Sequence, residues 1–295
     1  MPPRFNKELD FEYGAVAEVS PLLRRVVAPN PSAFTFHGTG TYIVGRGSVA
    51  VIDPGPADES HVEALKTALA DEVVSHIVVT HTHIDHSPAA AALKAHTGAA
   101  TWGYGPHGSG SNIVVEAGGD IDFVPDNGVV DGQVIVGEGW TLEAVHTPGH
   151  TSNHLCFALN EEGALFSGDH VMGWSTTVVS PPDGDMAAYI ASLRKVAARP
   201  EQRYYPTHGA PVENASSFVG KLVAHRQQRE RQIATCLEEG VTRIPHMVSR
   251  LYANIDSRLH GAAGRSVLAH LVHMVATGRA ACDGAPDIDT EYRSA

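Results

Sequence analysis

An α/β protein with a helical C-terminal piece is what this 295-residue sequence predicts, and three observations carry the prediction. Short apolar runs of strand length recur between residues 41 and 206, and several end in His or Asp. Stretches with helical spacing lie between some of them. Beyond residue 214 the pattern turns helical, and the charge changes with it. Residues 1–214 hold 11 Lys and Arg against 25 Asp and Glu, whereas residues 215–295 hold 10 against 8. The expected organisation is a catalytic domain over 1–214 and a second domain over 215–295.

Composition bounds the function. With 43% hydrophobic residues the chain can bury a large core, and a net charge of −12 excludes a protein that coats nucleic acid by charge alone. The first ten residues carry both signs of charge. No stretch approaches the roughly 18 apolar residues needed to span a bilayer, so a cytoplasmic protein with no membrane partner is expected. Cys156, Cys236 and Cys282 lie far apart, which predicts neither a disulfide framework nor a thiolate metal site.

Taken in order, residues 14–20 and 33–37 read as early strands, and 41–44 and 48–52 as buried ones ended by Asp53-Pro-Gly-Pro56. Val62, Leu65 and Leu69 share one face of a helix over 58–70. The strand 76–80 runs into His81-Thr-His83-Ile-Asp85-His86, and Ser87 and Pro88 supply an N-cap and a first-turn proline for the next helix. Residues 103–119 read as a mobile, glycine-rich loop near the site. Strands follow at 121–124, 133–136, 141–146, 155–159, 164–168 and 203–206. The tail holds helices at 213–239, 243–253 and 262–277, the last burying Val267, Leu268, Leu271, Val272 and Val275. The segment 278–282 reads as a strand.

Three imidazoles and a carboxylate within six residues, at the end of a strand, suit metal ions better than any other chemistry. A loop there can turn His81 and His83 to one cation and Asp85 and His86 to a second about 3.5–4 Å away. His150, after a tight Pro-Gly turn, is the candidate third ligand of the first cation. Asp169, at a strand tip, can bridge the two through its oxygens, and His208 completes the second set. Asp53 is expected to orient a ligating histidine from behind. His154 and His170 are expected behind the ligands too, and are the candidate proton donors to a leaving group. His96 and His107 read as solvated, while Tyr104, Trp174 and Thr176 are candidates to line the pocket.

Together these motifs, in order from about residue 14 to 214, resemble the metallo-β-lactamase superfamily. The resemblance implies a four-layer αββα sandwich with two Zn²⁺ ions, for which Mn²⁺ or Fe²⁺ can substitute on the same ligands. Carried over, His81, His83 and His150 would hold metal 1, Asp85, His86 and His208 metal 2, with Asp169 between. A metal-bridging hydroxide, oriented by Asp85 as the catalytic carboxylate, would attack an ester-like or phosphodiester bond. The tail, with Ser167-Gly-Asp-His170 and Thr176-Thr-Val-Val179, is similar to the β-lactamase-like protein 2 family. That likeness implies a winged-helix-like C-terminal domain and endoribonuclease cleavage of single-stranded RNA.

The acidic balance keeps other substrates open. One is a small-molecule thioester or lactone, as in hydroxyacylglutathione hydrolases, with Arg226, Arg229, Arg231 and Tyr252 available to hold the tripeptide. Another reading is a winged-helix binding protein that senses a metal or metabolite, and the C-terminal domain is also a candidate homo-oligomer surface.

Overall fold

The computed structural model describes residues 3–109, 118–254 and 256–295. Its first half is a seven-stranded sheet whose strands follow sequence order. They are β1 (Val16–Glu18), β2 (Leu23–Val27), β3 (Gly40–Val44), β4 (Ser48–Ile52), β5 (Val73–Val78), β6 (Ala100–Gly103) and β7 (Asn127–Gly128). Helices α1 (Glu59–Ala68) and α2 (Ala89–Thr97) are the crossovers that make β4, β5 and β6 parallel.

The second sheet contains β8 (Val134–Gly137), β9 (Trp140–His146), β10 (Leu155–Leu159), β11 (Ala164–Gly168), β12 (Arg203–Pro206) and β13 (Val212–Glu213), in the spatial order 13-12-11-10-9-8. Helix α3 (Met186–Ala197) crosses from β11 to its parallel neighbour β12.

Alternation along the strands stacks these parts into four layers. Tyr42, Val44, Ala50 and Ile52 meet Trp140, Leu155, Phe157 and Leu159 between the sheets. The intervening Ile43, Val49 and Val51 face the other way, onto Leu65 and Leu69 of the α1 segment and Leu93 of α2. In the second sheet Cys156, Ala158 and Leu165 turn outward onto Tyr189 and Leu193 of α3. The result is the αββα sandwich, with its central strands buried on both faces.

The C-terminal region comprises α4 (Ala215–Glu238), α5 (Ile244–Leu251), a 3-10 turn (Ser257–Leu259), α6 (His260–Ala276) and a hairpin of β14 (Ala280–Cys282) with β15 (Tyr292–Ser294). Helices and hairpin form the expected winged helix around Ile233, Met247, Val267, Leu271 and Tyr292. Helix α4 belongs to two cores. Its start packs Ala215, Val219 and Leu222 on α3 and the second sheet, and its end packs Ile233, Cys236 and Leu237 in the winged helix.

Four local expectations are corrected. Residues 33–37 form a turn and not a strand: the Ser32 hydroxyl accepts from the Phe34 and Thr35 amides, and Phe36 sits at φ +58°. Residues 121–124 are no strand either, because Ile121 and Val124 are 61% and 64% exposed and only Phe123 is buried. Ser87 caps nothing; its hydroxyl donates to Asp120, and α2 begins after Pro88 without a side-chain cap. In α6 Met274 is fully buried, while Val272 and Val275 are half-buried. Of the glycine-rich stretch, residues 110–117 lie outside the described residues. No helix among the described residues is long and apolar enough to cross a membrane.

Helix α3 was unexpected, although its signals are present. Asp185 accepts from the Ala188 amide as an N-cap, and Met186, Tyr189, Ile190, Leu193 and Val196 form its buried stripe.

Candidate metal centre

The two sheets end along one edge, and the loops leaving them converge there. Asp53 follows β4 and occupies the left-handed region at φ +48°, a conformation an aspartate adopts only when its surroundings hold it. They do. Its carboxylate accepts from the Thr80 amide (2.8 Å), the Thr80 hydroxyl (2.8 Å), His86 Nδ1 (2.9 Å) and the Thr207 hydroxyl (2.8 Å). One buried carboxylate thus ties together the loop after β5 and the loop after β12.

Each histidine ring is turned by what its Nδ1 meets. His81 Nδ1 lies 3.1 Å from the Thr80 hydroxyl, which donates onward to Asp53. His150 Nδ1 donates to the Val178 carbonyl (2.6 Å) and His208 Nδ1 to the Gly38 carbonyl (3.1 Å). With His86 held by Asp53, all four rings point Nε2 inward. His83 is the exception, presenting Nδ1 at 3.0 Å from His81 Nε2 and 3.1 Å from His150 Nε2.

Three overlapping groups of donors result, each able to hold a metal ion: His81, His83 and His150 on one side, Asp85, His86 and His208 on the other, and His81, His86 and Asp169 sharing a member with each. Asp169 stands between the first two. Its Oδ1 lies 3.7 Å from His86 Nε2 and 3.4 Å from His208 Nε2, and its Oδ2 lies 3.7 Å from His150 Nε2. Asp85 Oδ2 is 3.1 Å from His208 Nε2. Among the described residues His86 Nε2, His208 Nε2 and Asp169 Oδ1 find no partner in hydrogen-bonding geometry, close as the facing groups are, and in an interior that is costly unless a cation completes the set.

Electrostatics point the same way. Burial, then the charge of neighbouring imidazoles, pushes His150 down to about 4 and His81 well below the ordinary histidine value, favouring the neutral form a ligand needs. His86 differs. Burial opposes its charge, but Asp85, Asp53 and Asp169 together outweigh that and raise it well above the ordinary value. Asp169 and Asp85 likewise raise His208 against burial. Asp85 and Asp169, which burial alone would raise, are held below the usual carboxylate range by the facing imidazoles. Three carboxylates in so small a volume call for positive charge, which a divalent cation supplies.

His154 and His170 are fully buried. His154 lies behind the ligands, Nδ1 against the Thr147 hydroxyl (2.8 Å) and Nε2 accepting from the Asp169 amide (3.2 Å). His170 packs its ring on Tyr189. His96 is exposed, but His107 is half-buried, its Nδ1 2.9 Å from the Thr82 hydroxyl and its ring 6.1 Å from that of His83. Tyr104 stacks on His146, and Trp174 stacks on Phe36 and would meet any Cβ at Gly209.

Several contributors escaped the sequence reading. Thr80 and Thr207 link Asp53 to the ligand loops, and each stands directly before a histidine of the site, which is the one signal that could have found them. Asn153, fully enclosed, donates to the Thr82 hydroxyl (2.8 Å) and so ties the 81–86 loop to the turn after His150.

A model of the metallo-β-lactamase superfamily matches residues 35–208, and one of the β-lactamase-associated winged-helix domain matches 244–288. The chain belongs to the metallo-β-lactamase superfamily. Similar members include an atrochrysone carboxyl ACP thioesterase of Paecilomyces divaricatus, 35% identical over 76% of this chain and 67% of its own length. Another is the lactamase-like protein adaB of Aspergillus niger, 31% identical over 84% of this chain and 78% of its own. Among solved structures, a β-lactamase domain protein of Burkholderia ambifaria aligns with a TM-score of 0.79 at 19% identity, covering 96% of this chain and 94% of that one. A Thermus thermophilus member aligns at 0.74 and 21% identity, covering 94% and 99%. As a superfamily member the chain is a hydrolase of the metallo-β-lactamase fold.

Proposed function

We propose that this chain is a two-metal acyl hydrolase acting on a thioester. His81, His83 and His150 would hold one cation and Asp85, His86 and His208 the other, with Asp169 between the two sets. The observation that carries this reading is the division of the Asp169 carboxylate, one oxygen turned to His86 and His208 and the other to His150. A bound pair of divalent cations, Zn²⁺ or else Mn²⁺ or Fe²⁺, would lower the pKa of a shared water to roughly 7 and polarise the scissile carbonyl. Asp53 and the carbonyls of Gly38 and Val178 keep the candidate ligands in place, and the Asp85 carboxylate would orient the attacking water.

Two arguments favour a thioester over RNA. A thiolate leaving group, with a pKa of about 8.5, departs without a protein acid, and both ring nitrogens of His154, one candidate acid, are already engaged by the Thr147 hydroxyl and the Asp169 amide. The tail's cations are largely engaged: Arg226 with the Thr177 carbonyl, Arg229 over the Tyr252 ring, Arg250 with Glu239 and Arg279 with Glu230. The same engagement weighs against a glutathione clamp built from Arg226 and Arg229. The named thioesterases among the relatives support the choice of bond; the match spans about two thirds of their length.

Elemental analysis beside a panel of acyl thioesters, lactones and an RNA oligonucleotide tests the reading. Two metal ions per chain and chelator-sensitive thioester turnover are expected, with Asp85→Ala removing turnover and reducing bound metal. Cleavage of RNA without thioester turnover would refute it.

A further inference from the structure

We infer that Arg25 is a positioning residue for the His208 half of the site; the inference rests on the two-cation reading above. Strand β2 alternates, so Arg24 and Val26 face the helices while Leu23 and Arg25 face the space between the sheets. Arg24 finds a carboxylate on its side, Glu72 at 2.6 Å. Arg25 does not. It is 4% exposed, buried inside the sandwich, and among the described residues its guanidinium makes no ion pair. A cation in that position is costly, so its partners reveal what it holds.

Those partners are two carbonyls. Nη1 donates to the Gly209 carbonyl (2.7 Å) and Nη2 to the Thr207 carbonyl (3.1 Å), so one planar fork spans the carbonyls of the two residues that flank His208. The surroundings are shaped to admit it. A Cβ on Gly40 would collide with the Arg25 guanidinium, and the Gly40 amide donates to the same Thr207 carbonyl at 2.8 Å. Tyr42, the cross-strand neighbour of Arg25, lies with its ring under the guanidinium at 5.3 Å and donates its hydroxyl to the Pro206 carbonyl (2.8 Å). The backbone of residues 206–209 is thereby fixed from β2 and β3. His208 then reaches Asp85 and Asp169 with Nε2 while its Nδ1 bonds the Gly38 carbonyl.

A core arginine that only stabilised the fold would change unfolding and leave metal binding alone. One that positions His208 should weaken one metal position selectively, because support behind a ligand typically contributes about 10–100-fold in affinity. The test is calorimetric titration of the metal-stripped full-length protein with Zn²⁺, alongside thermal unfolding, for wild type, Arg25→Met, Arg25→Lys and Arg24→Met. Wild type should take two equivalents. Arg25→Met should keep one of them near its original strength and lose about 10–100-fold on the second, whichever of the two fills first in wild type. Arg25→Lys, with a single ammonium that cannot span both carbonyls, should weaken the second by a smaller factor. Arg24→Met should unfold more easily with both equivalents unchanged.

Wild-type affinity for the second equivalent in Arg25→Lys or Arg25→Met, or equal weakening in Arg24→Met, would overturn the inference. Should Arg25→Met not fold, Arg25→Lys decides alone. A wild type that binds only one equivalent would instead sink the two-cation reading.

Discussion

At the scale of single residues, charge and burial decide most of what this site can do. Asp53 shows it: a carboxylate with no solvent contact and four hydrogen bonds stands one step behind the candidate ligands and fixes two loops at once. Away from the candidate metal centre, His61 on α1 is buried against the Thr41 hydroxyl (2.9 Å), and burial pushes it down to about 4. The unfolded chain, with His61 near 6.5, binds a proton there that the native state refuses. The stabilising contribution is therefore complete above pH 6.5 and is lost as pH falls from 6.5 towards 4. Between about pH 7 and pH 5 the loss should be about 2 kcal/mol. Urea unfolding at the two pH values, repeated with His61→Gln, checks this; an equal loss in the variant would show that other groups are responsible.

At the scale of elements, helix α4 connects the winged helix to the catalytic edge through one side chain. Arg226, nearly enclosed, donates to the Thr177 carbonyl and lies over the ring of Tyr189. The Thr177 hydroxyl donates to the Asp169 carbonyl (2.7 Å), and the next carbonyl, of Val178, holds His150. Replacement Arg226→Met keeps the bulk of the side-chain stem but leaves a buried carbonyl without its donor, a loss of roughly 1–3 kcal/mol. The expected outcome is lower stability in urea together with reduced thioester turnover. Unchanged kcat and KM in a stably folded variant would show that the helix supports packing alone.

At the scale of the whole molecule, the winged helix and the sandwich share α4, so the boundary expected at residue 214 marks where a helix begins and not where packing ends. A chain cut after residue 214 uncovers the patch that Ala215, Val219 and Leu222 seal on Tyr189 and Leu193, and it should aggregate or bind hydrophobic dyes. A chain cut after Gln228 keeps that patch sealed and leaves out Ile233, Cys236 and Leu237, so it should be more soluble than 1–214; an equally soluble 1–214 would show that α4 is dispensable. The sequence by itself determined the fold class, the positions of most strands and the histidines and aspartates gathered at their ends. These are local properties: an apolar run of strand length and a His-rich strand end are visible wherever they stand, as at 76–86. Only the tertiary structure decided that residues 33–37 turn, that 121–124 stay exposed and that His107 leaves solvent for the neighbourhood of His83. It alone also decided which oxygen of Asp169 faces which histidine, and that Arg25 closes on the carbonyls around His208. Arg25 and Gly209 stand 184 positions apart, and His83 and His150 stand 67 apart. Which of such distant partners meet is set by how the two sheets stack, a relation that no local pattern encodes.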